Sequence, residues 1–155
     1  MTENSYKNAI RTYKTVLDWF EDNDVTFERD DSEMCVSSYF TGEDLKMNYT
    51  VRVNPEREVL TYESPMPFTV PKEKAVNMAF AVAAINERLA NGCFLYDMNA
   101  DSVRFKMTTC FTGASVVTEE MIAYMIITST GTVEEYNDKL FLLTKGILDY
   151  TDFIE

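Results

Sequence analysis

ERLANGCFLYDMNADSVRFKM, residues 87–107, is the stretch on which the fold turns. A helix-like run stops at Asn91-Gly92, two residues that tolerate the left-handed backbone at a helix end. Two strand-like runs follow, GCFLYDM and SVRFKMTTCF, parted by the polar turn Asn99-Ala100-Asp101. The stretch therefore reads as a helix leading into an antiparallel hairpin. No residue pattern in it points to catalysis.

Immediately upstream, Pro71 suits the first turn of a helix, where its missing N–H needs no partner. This second helix is expected over about 71–91. At about 100° per residue, Ala75, Met78, Val82, Ile85 and Leu89 form one apolar stripe. Val76, Ala79, Phe80 and Ala83 form another beside it. A helix lying on one sheet needs a single stripe. The second stripe either meets the C-terminal helices or forms a subunit interface, with small Ala residues allowing close approach. On the latter reading Val76, Ala79, Phe80 and Ala83 are the interface of a homodimer.

Farther upstream, SPMPFTVP (64–71) reads as an extended connector, because proline disfavours helix at the residue before it. Before it come VTFER, MCVSSYF, LKMNYTVRV and EVLTYES. In the third, Leu45, Met47, Tyr49, Val51 and Val53 point one way, while Lys46, Asn48, Thr50 and Arg52 point the other. Such alternation marks a sheet with one buried and one polar face. Turns at Thr41–Asp44 and Asn54–Arg57 make hairpin connections. At the N-terminus, Tyr6, Ala9, Ile10, Tyr13, Val16, Leu17 and Phe20 repeat at three and four, as in an amphipathic helix. Downstream of the hairpin, Thr118 opens a third helix through about Ser129. Gly131 interrupts it, and Thr132 with Glu135 forms a capping box for a fourth helix to about Asp149. The order α-β-β-β(-β)-α-β-β-α-α makes an α+β fold with an antiparallel sheet, in one domain over 1–155.

Composition narrows function. With 26 acidic against 14 basic residues, the net charge is −12. Phosphate contacts need surplus Lys and Arg, so nucleic acid is not an expected partner, and neither is an anionic membrane. The acidic field either attracts a basic partner or only aids solubility. No run approaches the roughly 20 apolar residues of a membrane helix. The N-terminal MTENSYKNAIRTYK lacks the basic and apolar regions of a signal peptide, so a cytoplasmic protein is expected.

No chemistry-bearing constellation emerges. The chain has no His, which removes the commonest general base and transition-metal ligand. Ser64, Ser115 and Cys110 therefore have no His to activate them. Cys35, Cys93 and Cys110 are odd in number and far apart, and read as small buried hydrophobes rather than a zinc site or disulfide framework. Asp22, Asp24, Thr26 and Glu33 fall at calcium-loop offsets, but Phe27 stands where the sharp turn needs Gly. Glu134 and Asp138 lie at i, i+4 and read as a solvated helix face. No catalytic, cofactor-binding or metal-binding residue is assigned, and no cofactor. One charge pattern is sharper. Lys46, Arg52, Arg104 and Lys106 occupy outward positions of two strands with no acid among those positions. They read either as a basic strip for an acidic peptide or for internal carboxylates, or as ordinary solvated strand faces or salt bridges to neighbouring helices.

The run AVNMAFAVAAINERLANGCFLYDMNADSVRFKMTTCF, with EEYNDKLFLLTKG after it and NPEREVLTYESPMPFTVPKEK before it, resembles the YbjN-type domain family. Asn86, Gly92, Phe94, Asp97, Val103 and Phe105 carry the resemblance, with Tyr136 and Leu140 later, over roughly 34–146. The family's members are described as bacterial sensory transduction regulators. The resemblance implies the fold of type III secretion chaperones, a curved antiparallel sheet flanked by helices, and those chaperones are typically small acidic dimers that hold extended segments of client proteins. It carries no catalytic residue. The expected function is thus a non-catalytic protein-interaction module, chaperone-like or signal-regulating, with a polypeptide partner. The alternative is a small-ligand-binding module with an aromatic-lined pocket around Tyr49, Tyr62 and Phe68.

Overall fold

The computed structural model describes residues 2–113 and 116–154. Helix α1 (Glu3–Asp22) precedes strands β1 (Glu28–Asp30), β2 (Cys35–Thr41), β3 (Lys46–Asn54) and β4 (Val59–Thr69). Helix α2 (Ala75–Arg88), strands β5 (Cys93–Asp97) and β6 (Ser102–Cys110) and helix α3 (Glu119–Thr144) complete the layout. The six strands form one open antiparallel sheet in the order β1-β2-β3-β4-β6-β5. The architecture is the expected α+β class, a sheet flanked by helices.

Alternation along β3, β4 and β6 sends Met47, Tyr49, Val51, Leu60, Tyr62, Val103, Phe105 and Met107 to one face, where all are buried. A file of rings crosses that face. Phe20 of α1 stacks near Tyr49 at 6.4 Å, Tyr49 on Tyr62 at 4.9 Å, and Phe105 meets the edges of Tyr62 and Phe94 at 6.3 and 5.2 Å. Phe94 in turn meets Tyr136 of α3 at 6.0 Å. The helices pack on this file, and their apolar faces join it in one core with loop residues such as Val70, Phe111 and Val117. In α1 the buried face holds Ala9, Tyr13, Val16, Leu17 and Phe20, whereas Tyr6 and Ile10, expected on the stripe, stand exposed.

Several boundaries differ from the sequence expectation. The predicted break at Gly131 does not occur, and α3 is one helix of 26 residues. A single interior glycine costs a helix only about 1 kcal/mol. Buried Ile126 before it and Val133, Tyr136 and Leu140 after it anchor both sides. Thr132 caps nothing; its Oγ1 donates to the Thr128 carbonyl at 2.8 Å inside the helix. Helix α3 ends at Thr144, and Asp149 instead caps a short 3₁₀ turn, Tyr150–Phe153, through a capping box with Asp152.

SPMPFTVP is extended as expected, but most of it belongs to β4 rather than to a connector. Its ladder with β3 reaches only Thr50↔Glu63, so Pro65 and Pro67 stand where no bond toward β3 is required. There Ser64 Oγ donates to the Asn48 carbonyl at 2.8 Å, and the register with β6 shifts between Pro65 and Thr69. Pro71 leads into a 3₁₀ turn, Lys72–Lys74, and α2 proper is shorter than 71–91 at both ends. Its capping residue is Leu89, not the Asn91-Gly92 pair. Gly92, with φ +74°, makes the turn into β5.

Asn86 explains the entry into that strand. Its side chain accepts from Phe94 N–H at 2.8 Å and donates to the Phe94 carbonyl at 2.9 Å. One amide thereby imitates a neighbouring strand and fastens the end of α2 to β5.

Candidate functional site

Among the described residues no helix covers the other face of the sheet. Its side chains come from the alternate positions of every strand, and the registers align them. Glu28, Ser37, Thr50, Glu63, Lys106 and Cys93 stand in successive pairings across all six strands. A second row passes from Cys35 through Arg52 and Thr61 to Thr108. Lys46, Arg52, Arg104 and Lys106 all lie on this face, so the structure brings the four sequence-selected cations to one surface.

The two acid-free strands of the sequence reading are not neighbours in the sheet. Strand β4 lies between β3 and β6 and inserts Glu63, which takes Arg104 Nε at 3.3 Å. Arg52 Nη1 pairs with Glu33 at 3.1 Å, and Lys46 Nζ sits 4.0 Å above the Tyr39 ring. Lys106 has no carboxylate within ion-pair distance among the described residues. Ion pairs as exposed as these contribute about 0–1 kcal/mol each, so an incoming carboxylate exchanges with them at small cost.

Two concavities shape the face. The first, of about 300 Å³, is lined by Arg52, Arg57, Lys106 and the hydroxyl residues Thr50, Thr61 and Thr108, with Glu63 its single carboxylate. The second, of about 380 Å³, lies between Phe27, Tyr39, Lys46 and Asn48 and shares Thr50 with the first. Arg57 belongs to this site but was not selected from sequence. It sits in the β3–β4 turn, outside any alternating pattern, and no local signal aims it at the sheet.

On the helical side, the stripe of α2 facing the sheet buries Met78, Val82 and Ile85. Val76, Ala79, Phe80 and Ala83 are exposed, with Val76 69% and Phe80 55% accessible. The C-terminal segment approaches this second stripe. Tyr150 lies against Phe80 with ring centroids 5.2 Å apart. Asn77 holds the segment in place, accepting from Tyr150 N–H at 2.6 Å and donating to Asp149 at 3.0 Å. That donated bond, followed by the Thr151 N–H, holds the Asp149 carboxyl below its usual range.

Ser64 is fully buried on its bond to Asn48, and Ser115 lies outside the described residues. Cys35 is buried as expected, but Cys110 is exposed and Cys93 is half-buried. Both belong to the open face, because Cys110 ends β6 opposite Val59 and Cys93 pairs with Lys106. Tyr49 and Tyr62 are stacked inside the core, and burial pushes the phenols of both upward. Phe68 packs on Phe141 at 6.0 Å. These three rings therefore do not enclose the pocket that a small-ligand module would use.

At the β2–β3 turn an acidic corner forms from Glu43, Asp44, Glu134 and Asp138. Burial first, then Asp44, Glu43 and Glu134, raises the Asp138 carboxyl. Asp138 Oδ1 and the neighbouring Asn137 Nδ2 are buried without hydrogen-bond partners among the described residues. Among the described residues no group of three or more His, Cys, Asp or Glu is placed to hold a metal ion, and no helix is long and apolar enough to cross a membrane.

No protein-family model and no curated protein matches the chain. Solved structures do match. The chain is similar to YbjN from E. coli, with a TM-score of 0.63 at 15% identity over 82% of this chain and 92% of that one. It is similar to a chain of the ExsC–ExsE complex, with a TM-score of 0.57 at 15% identity over 90% and 97%. It is also similar to a chain of the HopA1–SchA chaperone–effector complex, with a TM-score of 0.54 at 12% identity over 82% and 94%. The shared feature is the fold, that of YbjN and the type III secretion chaperones.

Proposed function

We propose that this chain is a non-catalytic, chaperone-like or regulatory module that binds a polypeptide partner, acts in the cytoplasm, and works as a homodimer joined along α2. The observation that carries the reading is the sheet with helices on one face only. Its other face is broad and polar, carries two concavities and exchangeable ion pairs, and suits a chain laid across it better than a small molecule enclosed in it. The likeness in fold to proteins solved in chaperone–effector complexes supports the same reading. Three unpaired cysteines agree with a reducing compartment.

The dimer is supported by the exposed stripe of Val76, Ala79, Phe80 and Ala83, since soluble monomers rarely expose a large contiguous apolar patch. A two-fold axis would hide the same stripe on both chains. Cross-linking in the native source, identification of the captured polypeptide and reconstitution from purified components test the partner. A stoichiometric metabolite in the purified protein, with no polypeptide that reconstitutes, overturns it. For the dimer, Phe80→Glu is expected to give a folded monomer by sedimentation and circular dichroism. A wild-type chain that sediments as a monomer at micromolar concentration removes that part of the reading.

A further inference from the structure

We propose that the trough across the open face, from Arg57 and Lys106 through Thr50 to Lys46 and Tyr39, is the seat of an extended acidic segment of the partner. This rests on the polypeptide-partner reading and adds the chemistry and place of the contact. The argument is charge complementarity against the background of the whole chain. A protein of net charge −12 gathers Lys46, Arg52, Arg57, Arg104 and Lys106 on one face. The carboxylates lining the same concavities are Glu63 and Glu28, while Glu33 and Glu56 stand beside Arg52 at one margin and Asp97 beside Arg104 at another. Glu63 and Glu33 each already occupy an arginine, which shows that these cations accept carboxylates at this surface.

Geometry selects a chain over a small anion. The cations do not converge on a point. Lys46 and Arg52 stand at opposite ends of β3, about 20 Å apart at the rise of a strand, which is the span of about six extended residues. The two concavities adjoin at Thr50, which lines both, and together they extend along β3 from Arg52 to Lys46. Thr50, Thr61, Thr108 and Asn48 line that path with groups that can bond a peptide backbone while the cations hold its carboxylates. A lone phosphate or carboxylate reaches one end only.

The probe is fluorescent decaglutamate, measured by anisotropy against wild-type protein, with decaglutamine as the neutral counterpart. Decaglutamate is expected to bind, to weaken with added salt as exposed charge contacts do, and to be matched by no binding of decaglutamine. The double variant Arg57→Glu/Lys106→Glu alters two side chains that form no ion pair among the described residues, so it is expected to stay folded by circular dichroism. It should bind decaglutamate at least about tenfold more weakly. Equal binding of the two peptides, or an unchanged affinity in the folded double variant, overturns the proposal. So does displacement of decaglutamate by inorganic phosphate at equal charge concentration, which makes the occupant a small anion. A natural partner held at wild-type affinity by the double variant overturns the trough and leaves the polypeptide-partner reading standing. Failure of every polypeptide to reconstitute overturns that reading, and with it the assignment of this seat to a partner.

Discussion

Gly92→Ala is expected to destabilise the protein by about 2–5 kcal/mol, from two separable causes. Gly92 has φ +74°, where a side chain costs about 1–2 kcal/mol. A Cβ there would also run into Cζ of Phe105 and approach the Lys106 carbonyl oxygen to 3.1 Å. Phe105 cannot withdraw, because it is fully buried between Tyr62 and Phe94. Overpacking of this kind costs about 1–3 kcal/mol. Gly146→Ala isolates the first cause. Its φ is +73°, but the Cβ would meet only the end of the Lys74 side chain at 3.3 Å, which can swing away. That variant should lose about 1–2 kcal/mol. Urea unfolding of both, analysed by midpoint at a common slope, measures the difference. If Gly92→Ala loses no more than Gly146→Ala, Phe105 does not lock this turn, and the account of how α2 is joined to the β5–β6 hairpin is wrong.

Asn86→Ala removes both bonds to Phe94 and leaves a half-buried peptide group unpaired, so a loss of about 1–3 kcal/mol is expected, with faster amide exchange in β5. Gly131→Ala should stabilise α3 by about 1 kcal/mol in thermal unfolding, since the site is exposed with nothing within 4 Å of the added methyl. Asp138→Asn should stabilise the protein at neutral pH but not in acid. The folded carboxyl titrates above its ordinary value of 3.8, so the folded state holds that proton more tightly than the unfolded chain does. Its contribution is intact below 3.8 and is lost as pH rises through the higher folded value. The stability gap between variant and wild type should therefore open as pH rises, and a gap independent of pH would show that burial of this charge is not the cause. Among the three thiols, Cys110 should react first with a soluble disulfide reagent and Cys35 last, as their exposure dictates.

Local pattern and local chemistry were legible in the amino-acid order. Alternation in β3 separated Met47, Tyr49, Val51 and Val53 from Lys46, Asn48, Thr50 and Arg52, because successive side chains of a strand must point to opposite faces. Helical periodicity likewise separated the two stripes of α2, and the structure buries Met78, Val82 and Ile85 of one while exposing Val76, Ala79, Phe80 and Ala83 of the other. The α+β order followed from these periods and from the turn residues between them.

What needed the tertiary structure were the outcomes that depend on residues far apart in the chain. The continuity of α3 through Gly131 was one, since a local cost of about 1 kcal/mol is outweighed by burial on both sides of the glycine. The place of Pro65 and Pro67 within β4 was another, because it depends on where the β3 ladder stops. The candidate site shows the same division. Sequence supplied Lys46, Arg52, Arg104 and Lys106 as outward residues. Only the strand order β3-β4-β6 could put Glu63 among them, and only the folded β3–β4 turn could bring Arg57 to the same concavity. Which way a side chain faces is fixed by its own backbone period, whereas its neighbours are fixed by which strands pair, and that is decided by packing of the whole chain.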